Sequence, residues 1–121
     1  GATEILEYLF SKYTLAIITN GFTEVQMTKL KSTGLNKYFK TLVTSEMAKA
    51  NKPDAKIFVT ALRTAQCRRN EAIMIGDHPE ADIAGARNVG IDQVWYNHGR
   101  QKADIRPTYE IYAFSELTNI L

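Results

Sequence analysis

Four short apolar runs are spaced along the chain, and helix-patterned segments separate them. Leu15-Ala16-Ile17-Ile18-Thr19, Thr41-Leu42-Val43-Thr44, Ala72 to Ile75 and Gln93-Val94-Trp95-Tyr96 read as strands. The first is apolar without alternation, as in strands of parallel sheets buried on both faces. Strands that alternate with helical crossovers imply an α/β fold: a Rossmann-like parallel sheet with helices on both faces and right-handed connections. A length of 121 residues suits one core, and residues 1–121 read as a single domain.

The segments between the strands carry helix signals. Thr3 to Lys12 puts Ile5, Leu6, Leu9 and Phe10 on one face, with Thr3 as the expected N-cap and Glu4 and Glu7 at the positive end of the dipole. Phe22 to Lys31 reads as a helix with Val25, Leu30 and Phe22 turned inward, stopped by Gly34. Leu35 to Phe39 is a connector with apolar anchors. Asn51-Lys52-Pro53-Asp54 is a turn with Pro53 near the first helical position, followed by a buried stripe of Ile57, Phe58, Ala61, Leu62 and Ala65. Pro79 to Val89 is a helix closed by Gly90. Asn97 to Pro107 is a polar loop, Tyr109 to Tyr112 a last edge strand, and Ser115 the cap of a terminal helix ending at Leu121.

Composition narrows the partners. A hydrophobic share of 45% and a charged share of 23% are those of an ordinary globular protein. A net charge of +2, with no basic block or stripe, argues against a nucleic-acid partner; Arg68-Arg69 reads as a solvated turn. No apolar run approaches the roughly 20 residues of a membrane span, so no membrane partner is expected. The single cysteine, Cys67, excludes an intrachain disulfide and fits a reducing cytoplasm. The acidic, helical start is unlike a signal peptide, and Gly1 reads as a cloning scar or a cut site.

Chemistry concentrates where strands end. Ile73-Met74-Ile75 stops at Gly76-Asp77, and a Pro-led helix follows directly. That places Asp77 at the C-terminal end of a strand, where open α/β sheets build their ligand sites. Asp82 lies about one helical turn on and can face the same spot. Two acids there suggest a divalent cation, Mg²⁺ first. Thr19 ends another strand and Lys52 opens a helix, so hydroxyl, ammonium and carboxylate are expected at one sheet edge. A hydroxyl with adjacent backbone N–H groups holds phosphate oxygens, a lysine offsets phosphoryl charge, and an acid holds the metal. The set describes a phosphoryl-transfer site.

These motifs resemble those of the haloacid dehalogenase-like (HAD) hydrolase superfamily, most of whose members are phosphatases. Ile17-Ile18-Thr19-Asn20-Gly21 resembles its second motif, which implies phosphate binding by Thr19, Asn20 and Gly21. Asn51-Lys52-Pro53-Asp54 through Ile57-Phe58 resembles the third, with Lys52 as the catalytic lysine on the phosphate. Gly76-Asp77 through Asp82-Ile83 resembles the fourth, which implies Asp77 and Asp82 as metal-binding acids; Gly85 to Ile91 continues the pattern. His78 stands where relatives often carry Ser. Trp95-Tyr96-Asn97 and Pro107 to Ile111 are similar to a nucleotidase-like branch. The resemblance implies a Mg²⁺-dependent phosphatase of small phosphorylated metabolites.

The family's first motif, Asp-x-Asp-x-Thr/Val, is not found in these 121 residues, and neither is the cap domain. The chain is therefore expected to be the C-terminal part of a larger core, inactive alone, with Mg²⁺ weak or absent. In the family the missing strand lies between those ending at Thr19 and Asp77. Without it, two edges about two strand spacings apart, roughly 9.6 Å, are left unpaired. Direct pairing of the two edges, a second copy, or a missing N-terminal segment would satisfy them; self-association or the missing segment is the expectation. Two other readings compete. A signalling receiver domain also uses acids, Thr and Lys-Pro, although there Lys-Pro comes last and here Lys52-Pro53 precedes Asp77. A non-catalytic binding module is the other. No Gly-x-Gly-x-x-Gly or Gly-Lys-Ser/Thr supports a dinucleotide or Walker-type site.

Overall fold

The computed structural model describes residues 2–121, so Gly1, read above as a cloning scar or a cut site, lies outside the described residues. In chain order the main elements are α1 (Ala2–Phe10), β1 (Leu15–Thr19), α2 (Thr23–Thr33), β2 (Phe39–Thr44), α3 (Ser45–Ala48), α4 (Ala55–Ala65), β3 (Ile73–Gly76), α5 (Gly85–Asn88), β4 (Asp92–Tyr96) and β5 (Tyr109–Ile111). A π-helical turn, Pro79–Ala84, leads into α5, and a 3₁₀ segment, Phe114–Asn119, follows β5. The fold is α/β with parallel strands throughout, as the alternation of elements requires.

The strands form two separate sheets. β1 pairs with β2, from Leu15 opposite Phe39 to Thr19 opposite Thr44. β3, β4 and β5 form the other, in that order. Among the described residues β1 and β3 have one hydrogen-bonded neighbour each. Helices join what the backbone does not. On one face Ile18, Val43 and Met74 pack against Ile57, Phe58 and Ala61 of α4 and Ala86 of α5. On the other, Leu15, Ile73, Ile75, Val94 and Ile111 pack with Ile5 and Leu9 of α1 and with Leu117. Both clusters draw side chains from both sheets. Each fully buried large side chain contributes about 1.5–3 kcal/mol, so this packing is the principal tie between them.

α4 forms where its sequence puts an apolar stripe behind a cap. Asp54 accepts a hydrogen bond from Lys56 N at 2.9 Å, and Ile57, Phe58 and Ala61 are buried one turn apart. Pro53 thus stands before the cap and not at the first helical position. Thr3 lies inside α1, which already begins at Ala2. Phe22 and Val25 were expected inside but are 67% and 54% exposed, and no residue of α2 is buried. Val25, Met27 and Leu30 do not share one helical stripe, so α2 has no face to bury. The expected helix over 79–89 begins as a π turn, because Asp82 N and Ile83 N both reach His78 O, at 3.0 and 3.3 Å. Ser115 is not a cap: the terminal segment starts after Ala113, and Glu116 accepts from the N–H groups of Tyr112 and Ala113 at 2.6 and 2.7 Å. No helix among the described residues is long and apolar enough to cross a membrane.

Candidate active site

Thr19 ends β1 and Asp77 follows β3, each at the carboxyl end of its own parallel sheet. Lys52 joins the two sheets there. Its Nζ donates to Ile18 O of β1 at 3.3 Å and to Asp82 Oδ1, beyond β3, at 2.6 Å. The Lys52 and Asp82 side chains are only 13% and 6% exposed. A pair this desolvated depends on both partners, since removing one leaves an uncompensated buried charge. Thr19, Lys52 and Asp77 therefore gather at one rim.

Asn20 sets where Lys52 sits. Its Oδ1 accepts from Lys52 N at 2.7 Å and its Nδ2 donates to Lys52 O at 3.3 Å. The side chain expected to bind phosphate thus clamps the main chain of the lysine. Gly21 is similarly engaged: its N–H donates to Ser45 Oγ at 2.9 Å, and Ser45 Oγ donates back to Gly21 O at 3.0 Å. Thr44, fully buried, meets Thr23 Oγ1 at 2.8 Å and accepts from Met47 N at 3.2 Å. Ser45 and Thr44 were missed in the sequence. Their signal was a Thr-Ser pair at a strand end, the usual composition of a helix N-cap.

Beyond β3 the chain folds back tightly. A Cβ at Gly76 would lie 2.5 Å from Asp82 Cβ and Oδ2, so only glycine lets Asp82 close on the strand end. Asp82 is 4% exposed; Oδ1 takes Lys52, and Oδ2 accepts from His78 N at 3.1 Å. Both carboxylate oxygens expected on a metal therefore have protein partners. His78 Nδ1 accepts from Ala81 N at 3.0 Å and caps the π turn. Trp95 Nε1 donates to Asp77 O at 3.1 Å and fixes the Asp77 main chain. Neither the Asp77 carboxylate nor the Thr19 hydroxyl has a hydrogen-bond partner among the described residues, and Asp77 is exposed.

Mg²⁺ takes six oxygens in near-octahedral geometry. No group of three or more His, Cys, Asp or Glu suited to a metal occurs among the described residues. The Asp77 carboxylate is unengaged, and that of Asp82 is hydrogen-bonded to Lys52 and to the His78 N–H. Two carboxylates fall short of the six ligands Mg²⁺ takes, so the described residues do not make such a site by themselves. The arrangement can accept an anion beside a held ammonium and a hydroxyl, at the mouth between two sheets.

A haloacid dehalogenase-like hydrolase family model matches residues 1–96. The chain belongs to that family of hydrolases. It is 39% identical over 124 residues to the pyrimidine 5′-nucleotidase YjjG of Escherichia coli, a match covering 100% of this chain and 55% of that protein. It is 37% identical over 125 residues to the pyrimidine 5′-nucleotidase PynA of Streptococcus pneumoniae, covering 100% and 53%. The magnesium-bound crystal structure of the HAD-hydrolase YfnB from Bacillus subtilis superposes with a TM-score of 0.94 at 32% identity, over 99% of this chain and 54% of that one. The chain spans about half the length of these relatives.

Proposed function

We propose that these residues form the phosphate-gripping half of a Mg²⁺-dependent phosphatase of small phosphorylated metabolites, with pyrimidine nucleoside monophosphates the first substrates to test. The observation that carries this reading is the Lys52 ammonium, held at 3.3 Å from Ile18 O and 2.6 Å from Asp82 Oδ1 at the carboxyl edge. Lys52 offsets the charge on the transferring phosphoryl group, and the Thr19 hydroxyl donates to one of its oxygens. Asn20, Gly21 and Asp82 act through position: Asn20 and Asp82 hold Lys52 at its main chain and its Nζ, and Gly21 holds the turn after Thr19. Asp77 is the carboxylate this chain offers to Mg²⁺; the other ligands lie outside it.

The nucleophile is an aspartate outside these 121 residues. Its carboxylate oxygen attacks phosphorus as the substrate's P–O ester bond breaks, and the leaving oxygen takes up a proton. Water then attacks the aspartyl phosphate and releases inorganic phosphate. The segment bearing that aspartate fits between β1 and β3, whose free edges supply the backbone groups for one more parallel strand. In this reading residues 1–121 are one partial core domain, cytoplasmic, with no nucleic-acid or membrane partner. Without that segment, the same edges favour self-association.

The test is an assay with p-nitrophenyl phosphate, uridine monophosphate and Mg²⁺. The 121-residue chain is expected to show no turnover above background. The chain extended upstream by its own coding sequence is expected to turn over, and Lys52→Ala is expected to lower that rate at least 100-fold, on the scale of removing one preorganised charge-stabilising group. Turnover by the 121-residue chain that disappears in Lys52→Ala would overturn the proposal, as would an extended chain that binds neither phosphate nor Mg²⁺.

A further inference from the structure

His78 is engaged at both its side chain and its main chain. Its N–H donates to Asp82 Oδ2 at 3.1 Å, and its Nδ1 accepts from Ala81 N at 3.0 Å. Its carbonyl accepts from Asp82 N and Ile83 N at 3.0 and 3.3 Å. The bond from Ile83 N, five residues on, makes the turn π-helical, a wider ring than the α-type bond from Asp82 N, and such turns recur at functional sites. The turn is short and begins at Pro79, which has no N–H to contribute. Its exposed end relies on Nδ1 to engage one of the leading N–H groups. Asp82 sits inside this turn and carries Lys52 on its other oxygen.

We infer that His78 is a positioning residue, whose ring holds the π turn in the shape that delivers Asp82 to Lys52 and so fixes where the ammonium meets a bound phosphate. The ring acts through two residues and does not itself need to touch substrate. The inference extends the proposed function, yet the geometric part stands without it, because the Lys52–Asp82 contact is present in this chain alone. What the position needs is an acceptor one bond-reach from the N–H of Ala81. Asparagine at this position supplies one, and alanine does not. Both keep the backbone N–H that binds Asp82 Oδ2.

The experiment compares the 121-residue chain with His78→Ala and His78→Asn by NMR, reading the Lys52 ammonium resonance and the exchange rates of the Ala81 and Asp82 amides. Circular dichroism establishes that each variant is folded. The wild-type chain is expected to show a protected Lys52 ammonium signal. In His78→Ala the two amides are expected to exchange about tenfold faster, the scale of a lost helix cap, and the Lys52 signal to broaden or vanish. In His78→Asn both readouts are expected to return toward wild type. An unchanged Lys52 signal in His78→Ala would overturn the inference, and so would equal loss in His78→Ala and His78→Asn with the fold intact. Should His78→Ala fail to fold, Ala81→Pro, which removes the same N–H donor at a position already inside the first turn, replaces it: a preserved Lys52 signal there would count against the ring's role. Phosphatase assays of the extended chain are kept separate. A positive NMR result with no turnover would sink the proposed function and leave the role of His78 standing.

Discussion

β1 (Leu-Ala-Ile-Ile-Thr) is the more apolar strand and β4 (Asp-Gln-Val-Trp-Tyr) the less, yet their surroundings run the other way. In β4, Val94 is 0% exposed and Trp95 2%, because β3 and β5 flank the strand and helices or loops cover its faces. In β1, none of Leu15, Ala16, Ile17, Ile18 and Thr19 is buried, and Ala16 is exposed. β3 repeats the pattern, with every residue half-buried. A strand this apolar at an edge carries more hydrophobic surface than its neighbours cover. The comparison teaches that β1 and β3 have the composition of interior strands and the surroundings of edge strands, and that the candidate groups Thr19, Lys52 and Asp77 stand at the mouth of the interval between them.

The largest expected effect tests what holds that interval open. Phe58 touches the core shared by both sheets and is fully buried. Phe58→Ala is expected to cost about 3–5 kcal/mol and to abolish cooperative unfolding by denaturant at 37 °C. Next is the bridge across the rim. Lys52→Ala leaves Asp82 buried and unpaired and is expected to cost about 3 kcal/mol, whereas the double replacement Lys52→Met with Asp82→Asn, which leaves no unpaired charge and keeps an acceptor for the His78 N–H, is expected to cost less. A smaller pair of effects sharpens the comparison directly. Val94→Ala in β4 is expected to cost about 2 kcal/mol, and Ile17→Ala in β1, although it removes a larger side chain, only about 1 kcal/mol. The order is expected to reverse in an upstream-extended chain, where β1 gains a second neighbour. Equal costs for Ile17→Ala in both forms would break the comparison.

The smallest effect lies far from the interval. Tyr38 donates to Glu7 Oε1 at 2.5 Å, and this bond holds the Tyr38 hydroxyl above its ordinary pKa. A raised value in the folded chain means the contribution is complete below the unfolded tyrosine value of about 10 and is lost as pH rises beyond it. Stability of the wild-type chain should therefore fall more steeply above about pH 10 than that of Tyr38→Phe, as read by urea midpoints across pH.

Much of this architecture was legible in the sequence because it depends on local pattern. All four apolar runs are strands, and a fifth strand begins at Tyr109 as expected. Ile57, Phe58 and Ala61 fall on the buried stripe that their spacing described. Thr19, Lys52 and Asp77 share a rim because parallel strands and crossovers leave them no other edge. What was not legible depends on contacts between distant residues. Nothing near Asn20 says that its amide clamps the main chain of Lys52, 32 residues away. The pairing of Asp82 with Lys52 is equally remote, and it requires the close approach that Gly76 permits. The π turn arises from the His78 carbonyl serving two N–H groups, which periodicity cannot register. α2 failed for the opposite reason: its apolar residues invited a buried face, although their spacing never formed one.

Amide hydrogen exchange along β1, β3 and β4, measured on the monomeric fraction of the 121-residue chain and again on the upstream-extended chain, tests the central claim most directly. The account predicts fast exchange in the short chain at the amides of β1 and β3 that face away from β2 and β4, slow exchange throughout β4, and strong protection of those β1 and β3 amides in the extended chain. Equal, slow exchange of β1, β3 and β4 in the short monomer would mean that the two sheets already pair with each other and close the rim, and would contradict it.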